Sequence, residues 1–213
     1  MPGRRRQRRS EQGKIDATPP WETRVRETPV VTEGPFDERD APDDDVERVD
    51  LGALRVPVYE GFDVRVDVDE NRQVVSATLA TEDGTMQLGV FAAPRNEGIW
   101  DEVRAEIAQS LNEQRRSSAS EQDGAFGTEL HGAIPAEGGR ETIPVRFVGV
   151  DGPRWFLRAM FAGAVARDAA HAQLLERALR GVIVVRGADP LPARDPVPLK
   201  LPEGIELPDA PQA

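Results

Sequence analysis

The chain is expected to fold as an α+β protein, a mostly antiparallel six- to eight-stranded sheet packed by two helices. Three observations predict it. Phe62, Val64, Val66 and Val68 alternate with Asp63, Arg65, Asp67 and Asp69, the period of two of a half-buried strand. Between Ile99 and Gln114, Trp100, Val103, Ile107 and Leu111 recur at helical spacing and form one apolar stripe. The strand-like segments fall in blocks joined by short turns, in the order ββββ-α-βββ-α-β, which favours hairpin pairing over parallel crossovers.

Residues 1–47 are expected to be disordered. Arg4, Arg5, Arg6, Arg8 and Arg9 form a basic tip, and an acidic linker with scattered Pro and Gly runs on to Asp43-Asp44-Asp45. Such a stretch buries too little apolar surface to offset the entropy of ordering. A single α+β domain is expected over residues 48–186. Val49, Leu51, Leu54, Val56 and Val58 supply one or two short strands broken near Gly52. The alternating segment follows, then QVVSATLAT, a hairpin turn at Glu82-Asp83-Gly84, and TMQLGVFAA.

Pro94 to Gly98 ends this block. The first helix then opens with Asp101 and Glu102 in its first turn, where the helix dipole favours negative charge. Residues 115–123 are polar and read as loop. GTELHGAI, TIPVRFVGV and RWFLRAMFAG are the next strands. Arg167 to Arg180 reads as the second helix, with Asp168 at its start, Gly181 at its end, and Leu174, Leu175, Ala178 and Leu179 on its buried face. Val182–Val185 is a short apolar strand. Residues 187–213 form a proline-rich extended tail that lies either on its own domain as a strap or along a partner.

Composition narrows the function. A net charge of −11 argues against non-specific binding to nucleic acid or anionic membrane by the whole body. With no cysteine, thiolate nucleophiles, thiolate metal sites and disulfides are excluded. No apolar run approaches the roughly 18 residues of a membrane helix, and no apolar segment follows the basic start, so a cytoplasmic, unprocessed protein without membrane insertion is expected.

Catalytic and cofactor signatures are missing from the pattern. There is no G-x-G-x-x-G, no G-x-x-x-x-G-K-[ST], no G-x-S-x-G and no H-E-x-x-H. His131 reads as a surface or half-buried strand residue, and His171 as a boundary residue beside the stripe of the second helix. Asp43-Asp44-Asp45 lacks the alternating spacing of a calcium loop. The expectation is therefore no cofactor, no metal, no catalytic residue, and no enzymatic activity.

The densest patch of unusual residues is GVDGPRWFLRA, Gly149–Ala159. Asp151-Gly152-Pro153 reads as a tight turn, which puts Arg154 and Trp155 on opposite faces of the outgoing strand. Two readings stand side by side. One is a core hairpin with a buried tryptophan. The other is an exposed Arg-Trp edge that contacts a partner, since both residue types are enriched at interface hot spots. Asp151, Arg154 and Trp155 form the candidate interaction surface, with Trp100 at the start of the first helix, which either joins it or anchors the helix to the sheet.

VERVDLGALRVPV, LGVFAAPRNEGIWDEVRAEIAQSL, RFVGVDGPRWFLRA and RGADPLPARDPVPLKLP run in this order from Val46 to Pro202. They resemble an uncharacterised actinobacterial family, domain of unknown function 3710 (DUF3710). The resemblance implies no activity, cofactor or catalytic residue. Its gene neighbourhood, with a dUTPase and a small OB-fold protein, points toward nucleotide or nucleic-acid metabolism. The strand–helix order, with V-P-x-x-E-G-F at Val56–Phe62, is also similar to the Mog1/PsbP-type α-β-α sandwich, a largely non-enzymatic group that binds other proteins.

The expected function is a non-catalytic protein-interaction or regulatory module with an unidentified protein partner. The alternative is an accessory factor in nucleotide or nucleic-acid metabolism, acting through the arginine tip or an OB-fold neighbour. The second alternative is an enzyme with an unrecognised site.

Overall fold

The structure, a computed structural model, describes residues 33–202 apart from 71, 72, 96, 137, 139 and 140. Along the chain, β1 (Phe36–Asp37), β2 (Arg48–Asp50), β3 (Leu54–Pro57), β4 (Asp63–Val68), β5 (Val74–Thr81) and β6 (Gly84–Ala92) precede α1 (Trp100–Glu113). Then β7 (Ser118–Gly124), β8 (Gly127–Pro135), β9 (Thr142–Gly152) and β10 (Trp155–Gly163) lead to α2 (Ala169–Gly181) and β11 (Ile183–Val184). Seven strands make the main sheet, in the order β4-β5-β6-β10-β9-β8-β7, antiparallel at every joint. A second sheet, β1-β11-β3-β2, carries the one parallel joint among the described strands, β1 on β11.

Side-chain alternation on the main sheet creates two cores. On one face Leu79, Met86, Leu88, Val90, Val148, Trp155, Leu157 and Phe161 meet Leu175, Ala178 and Leu179 of α2 and Leu54, Val56 and Val184 of the small sheet. On the other, Leu130, Val145, Phe147 and Phe156 meet Ile99, Trp100 and Leu111. The result is three layers: α1, the main sheet, then α2 with the small sheet. Each fully buried aliphatic or aromatic side chain contributes about 1.5–3 kcal/mol relative to exposure. The expected α+β architecture with two helices is what the structure shows.

Two elements lie where none was expected. Residues 33–47 join the fold instead of remaining a linker. Phe36 is buried and pairs with Ile183, and its amide donates to Val182 O at 2.8 Å. β7 occupies part of the polar stretch 115–123. It is an edge strand, exposed along most of its length, and carries no apolar alternation because neither face is fully covered. Its pairing with β8 runs from Ser118↔Ala133 to Gly124↔Gly127. The expectations of disorder for residues 1–32, including the arginine tip, and of an extended tail over residues 203–213 lie outside the described residues.

The proline-rich segment is a strap on its own domain as far as Pro202. β5 pairs with β6 only up to Ala77↔Leu88, which leaves the edge of β6 open beyond that point. The strap fills the gap: Ala92 N donates to Asp195 O and Val197 N to Val90 O, each at 2.8 Å, and Leu199 N donates to Val74 O at 3.1 Å. Val197 and Leu199 are buried in the core. Their amides are the ones used, while Pro196 and Pro198, which have no N–H, take the alternate positions where a donor is not needed.

Candidate functional site

Each residue of the run Gly149–Trp155 is explained by what it touches. A Cβ on Gly149 would overlap the Trp100 ring, and one on Gly152 would overlap the Trp155 ring, so glycine at both positions lets a tryptophan lie flat on the backbone. Asp151 reaches the start of α1. Its carboxylate accepts from Ile99 N at 2.8 Å and from Trp100 N at 3.3 Å. Ile99 has no side-chain cap of its own, so Asp151 supplies the cap from another strand. Trp100 donates Nε1 to Thr128 O at 2.8 Å and stacks on Phe156 with ring centroids 5.9 Å apart.

Of the two readings of the hairpin, the core one with a buried tryptophan holds, and the exposed Arg-Trp edge is not formed. Trp155 is 2% exposed and Trp100 is 7% exposed, the first in the α2-side core and the second in the α1-side core. They lie against opposite faces of the sheet and share no surface patch. Trp155 spends its one polar atom inward, donating Nε1 to Asp37 Oδ2 at 2.8 Å and pinning β1. The turn is also displaced by one residue from the expected position. Gly152 pairs with Trp155 inside the ladder, and the two-residue loop is Pro153-Arg154. Arg154 is therefore at the hairpin tip, not on a strand face, with φ of 67°. Proline first and a left-handed residue second is the arrangement in which glycine usually takes the second place.

Of the four candidate residues, Asp151 and Trp155 border one hollow, with Phe126 and Arg180, and Arg154 faces another. Arg154 lines a cleft of about 540 Å³ with Arg39, Arg95, Arg186, Asp37 and Glu38. Four separate chain segments bring these guanidinium groups together, against the charge of a chain that is strongly acidic overall. Both carboxylates are engaged. Asp37 accepts from Trp155 Nε1 and from Arg39 N, and Glu38 accepts from Arg55 Nη2 at 3.1 Å. Arg186 donates Nε to Arg154 O at 3.1 Å and Nη1 to Asp189 O at 3.1 Å, both backbone carbonyls. Burial, and after it the neighbouring charge of Arg154, holds Arg186 below the ordinary arginine value. Among the described residues no carboxylate pairs with the side chains of Arg39, Arg95, Arg154 or Arg186. Sequence reasoning found Arg154 and missed the other three, which are scattered and carry no local motif.

The two histidines lie in separate places, each beside a carboxylate. His131 Nε2 lies 3.4 Å from Glu129 Oε2, beside the ion pair of Arg146 with Glu176 at 2.7 Å. His171 Nδ1 lies 2.8 Å from Asp83 Oδ2 at the surface. Among the described residues no group of three or more His, Cys, Asp or Glu is placed to hold a metal ion. No helix of the described residues is long and apolar enough to cross a membrane.

Fold and cleft together define a class: α+β proteins with a helix on each face of a large antiparallel sheet and an electropositive notch at one hairpin tip. Within it the chain belongs to the family described as protein of unknown function, DUF3710, whose model matches residues 34–207. No curated protein matches the sequence. Among solved structures, a variant of the protein Mog1 is similar at 16% identity and a TM-score of 0.39, covering 67% of this chain and 97% of that one. The cyanobacterial PsbP (CyanoP) from Synechocystis sp. PCC 6803 is similar at 11% identity and 0.39, covering 65% and 92%. LpqN, involved in cell envelope biogenesis of Mycobacterium tuberculosis, is similar at 12% identity and 0.34, covering 71% and 99%.

Proposed function

We propose that the protein is a non-catalytic, cytoplasmic interaction or regulatory module that recognises a protein partner through the arginine-lined cleft. One observation supports this above others: Arg154 sits at a hairpin tip in a backbone conformation that costs an arginine about 1–2 kcal/mol relative to the usual helical one, yet its side chain has no partner among the described residues. Strain of this kind clusters at ligand clamps. The test is affinity capture from the native cell with the full chain, side by side with Arg154→Glu/Arg186→Glu. A recurrent partner that the double variant fails to retain supports the module. Turnover of a small molecule by the purified protein, abolished by one polar substitution, would replace it with an enzyme.

The same guanidinium set favours a second reading, an accessory factor in nucleotide or nucleic-acid metabolism, because the arginine fork matches phosphate as well as carboxylate. Binding of a single-stranded oligonucleotide that depends on Arg154 would move the assignment in that direction.

A further inference from the structure

Three arginines in the described chain have left-handed backbone angles: Arg116, Arg154 and Arg194. Arg194, with φ of 73°, is at the turn that starts the strap, and its guanidinium is held by Glu102 and by Glu106 at 2.7 Å on α1. Its unusual backbone thus aims a guanidinium at a pair of carboxylates on another segment. Arg154, with φ of 67°, repeats that arrangement at the β9–β10 tip, and there the carboxylates are not supplied by the described chain.

The lining narrows what would supply them. The cleft wall consists of Asp37, Glu38 and the four arginines, with Pro153, Gly187 and Ala188. Among the described residues it has no aromatic ring on which a base could stack and none of the large apolar side chains that line small-molecule pockets. A polypeptide strand suits such a wall. Its anionic side chains meet the guanidinium forks, while Asp37 and Glu38 stay engaged by Trp155, Arg39 N and Arg55. Resting on the module reading above, we propose that the cleft takes an anionic peptide segment of a partner protein, gripped through its carboxylate or phosphoryl oxygens by Arg39, Arg95, Arg154 and Arg186.

The test titrates the full chain with three synthetic peptides of alternating residues, Glu-Gly, phosphoserine-Gly and Ser-Gly, and with inorganic pyrophosphate, followed by NMR at low salt. The two anionic peptides are expected to shift resonances of the cleft, and the neutral one to leave them in place. Raising salt from about 0.05 to 0.5 M should weaken the binding. Arg154→Gly should weaken it by roughly tenfold or more, while the melting temperature stays at or above that of the unaltered chain, because glycine accepts the left-handed angle. A purely structural Arg154 would instead lower the melting temperature. Arg65→Ala, in an exposed pair with Asp63 away from the cleft, should bind like the unaltered chain. Equal binding of the neutral peptide, or undiminished binding by Arg154→Gly, overturns the proposal. So does pyrophosphate binding with no response to any peptide, which would mark a site for compact anions. If no peptide binds but the captured partner still depends on Arg154, the peptide assignment fails and the module stands; if both fail, both fall.

Discussion

The two faces of the main sheet are held by different physics. On the α2 face a continuous apolar core joins α2, the small sheet and the strap, and its largest side chains, Trp155, Leu157, Phe161, Leu175 and Leu179, are almost fully buried. On the α1 face the apolar cluster is smaller, and Val103 and Ile107 are only half-buried. There the helix is tied at its margins instead: Asp151 caps its start, Arg104 bridges Asp101 and Glu121, Asn112 accepts from Ala119 N, and Arg194 of the strap joins Glu102 and Glu106. One face is stabilised by area removed from water, the other to a greater degree by polar tethers at its edges. Substitutions on the first should scale with volume, and those on the second should be small and sensitive to salt.

The largest test of that contrast is Trp155→Ala, which should lower the unfolding free energy by about 3–5 kcal/mol in urea titrations. Val103→Ala on the α1 face should cost about 1 kcal/mol or less, as expected for a half-buried methyl pair. Equal losses would erase the distinction. A charged network inside the α2 face should behave in a third way. Arg146 is buried over the Phe161 ring at 4.1 Å and faces Glu176 at 2.7 Å and the buried Glu129 at 3.6 Å, while its Nε and Nη2 have no hydrogen-bond partner. Arg146→Ala leaves Glu129 buried without its cation and should cost about 3 kcal/mol or more. The paired change Arg146→Met/Glu129→Gln should recover part of that loss, since it removes the fully buried carboxylate together with its cation while keeping volume, and Glu176 keeps Arg180 at 3.9 Å. Denaturation curves of the single and double variants compare the two directly.

Asp151→Ala should come next, at about 1 kcal/mol, the usual value of a helix cap. Hydrogen exchange should speed up in the first turn of α1 and leave α2 unchanged. This residue also shows how much of the molecule was readable in advance. Alternation in β4 and the stripe in α1 were legible because burial on one side imposes a period on the chain. The extended course of the strap was legible because its prolines exclude helix and central strand, but its docking on its own domain was not. β1 was not, because two residues pairing in parallel with a distant strand carry no local period. β7 was not, because an exposed edge strand has no reason to alternate. In Gly149–Trp155 the core reading with a buried Trp155 was available from the sequence, but nothing in the sequence decided between it and the exposed edge until Asp37 takes the indole N–H. Asp151 resembles a turn residue until α1 is folded against it. The cleft depends on residues 39, 95, 154 and 186 meeting in three dimensions, and no spacing along the chain encodes that.

The smallest effect marks a place where the α2 face borrows the strategy of the other. His171 is in the first turn of α2, and its Nδ1 meets Asp83 Oδ2 at 2.8 Å in the β5–β6 turn. The hydrogen bond to Asp83, and then its charge, raises the histidine above its ordinary value, with Asp168 adding to the shift. A histidine raised in the folded state contributes stability that is complete below the unfolded value of about 6.5 and is lost as pH rises through the folded value. The melting temperature should therefore fall slightly as pH is raised through that window, and His171→Gln should flatten that part of the curve. The increment stays small for two reasons: the pair is open to solvent, and a cation at a helix N-terminus opposes the helix dipole, so Asp83 offsets that penalty before adding anything. If Asp83→Asn leaves the slope intact, the tether is not made by this pair.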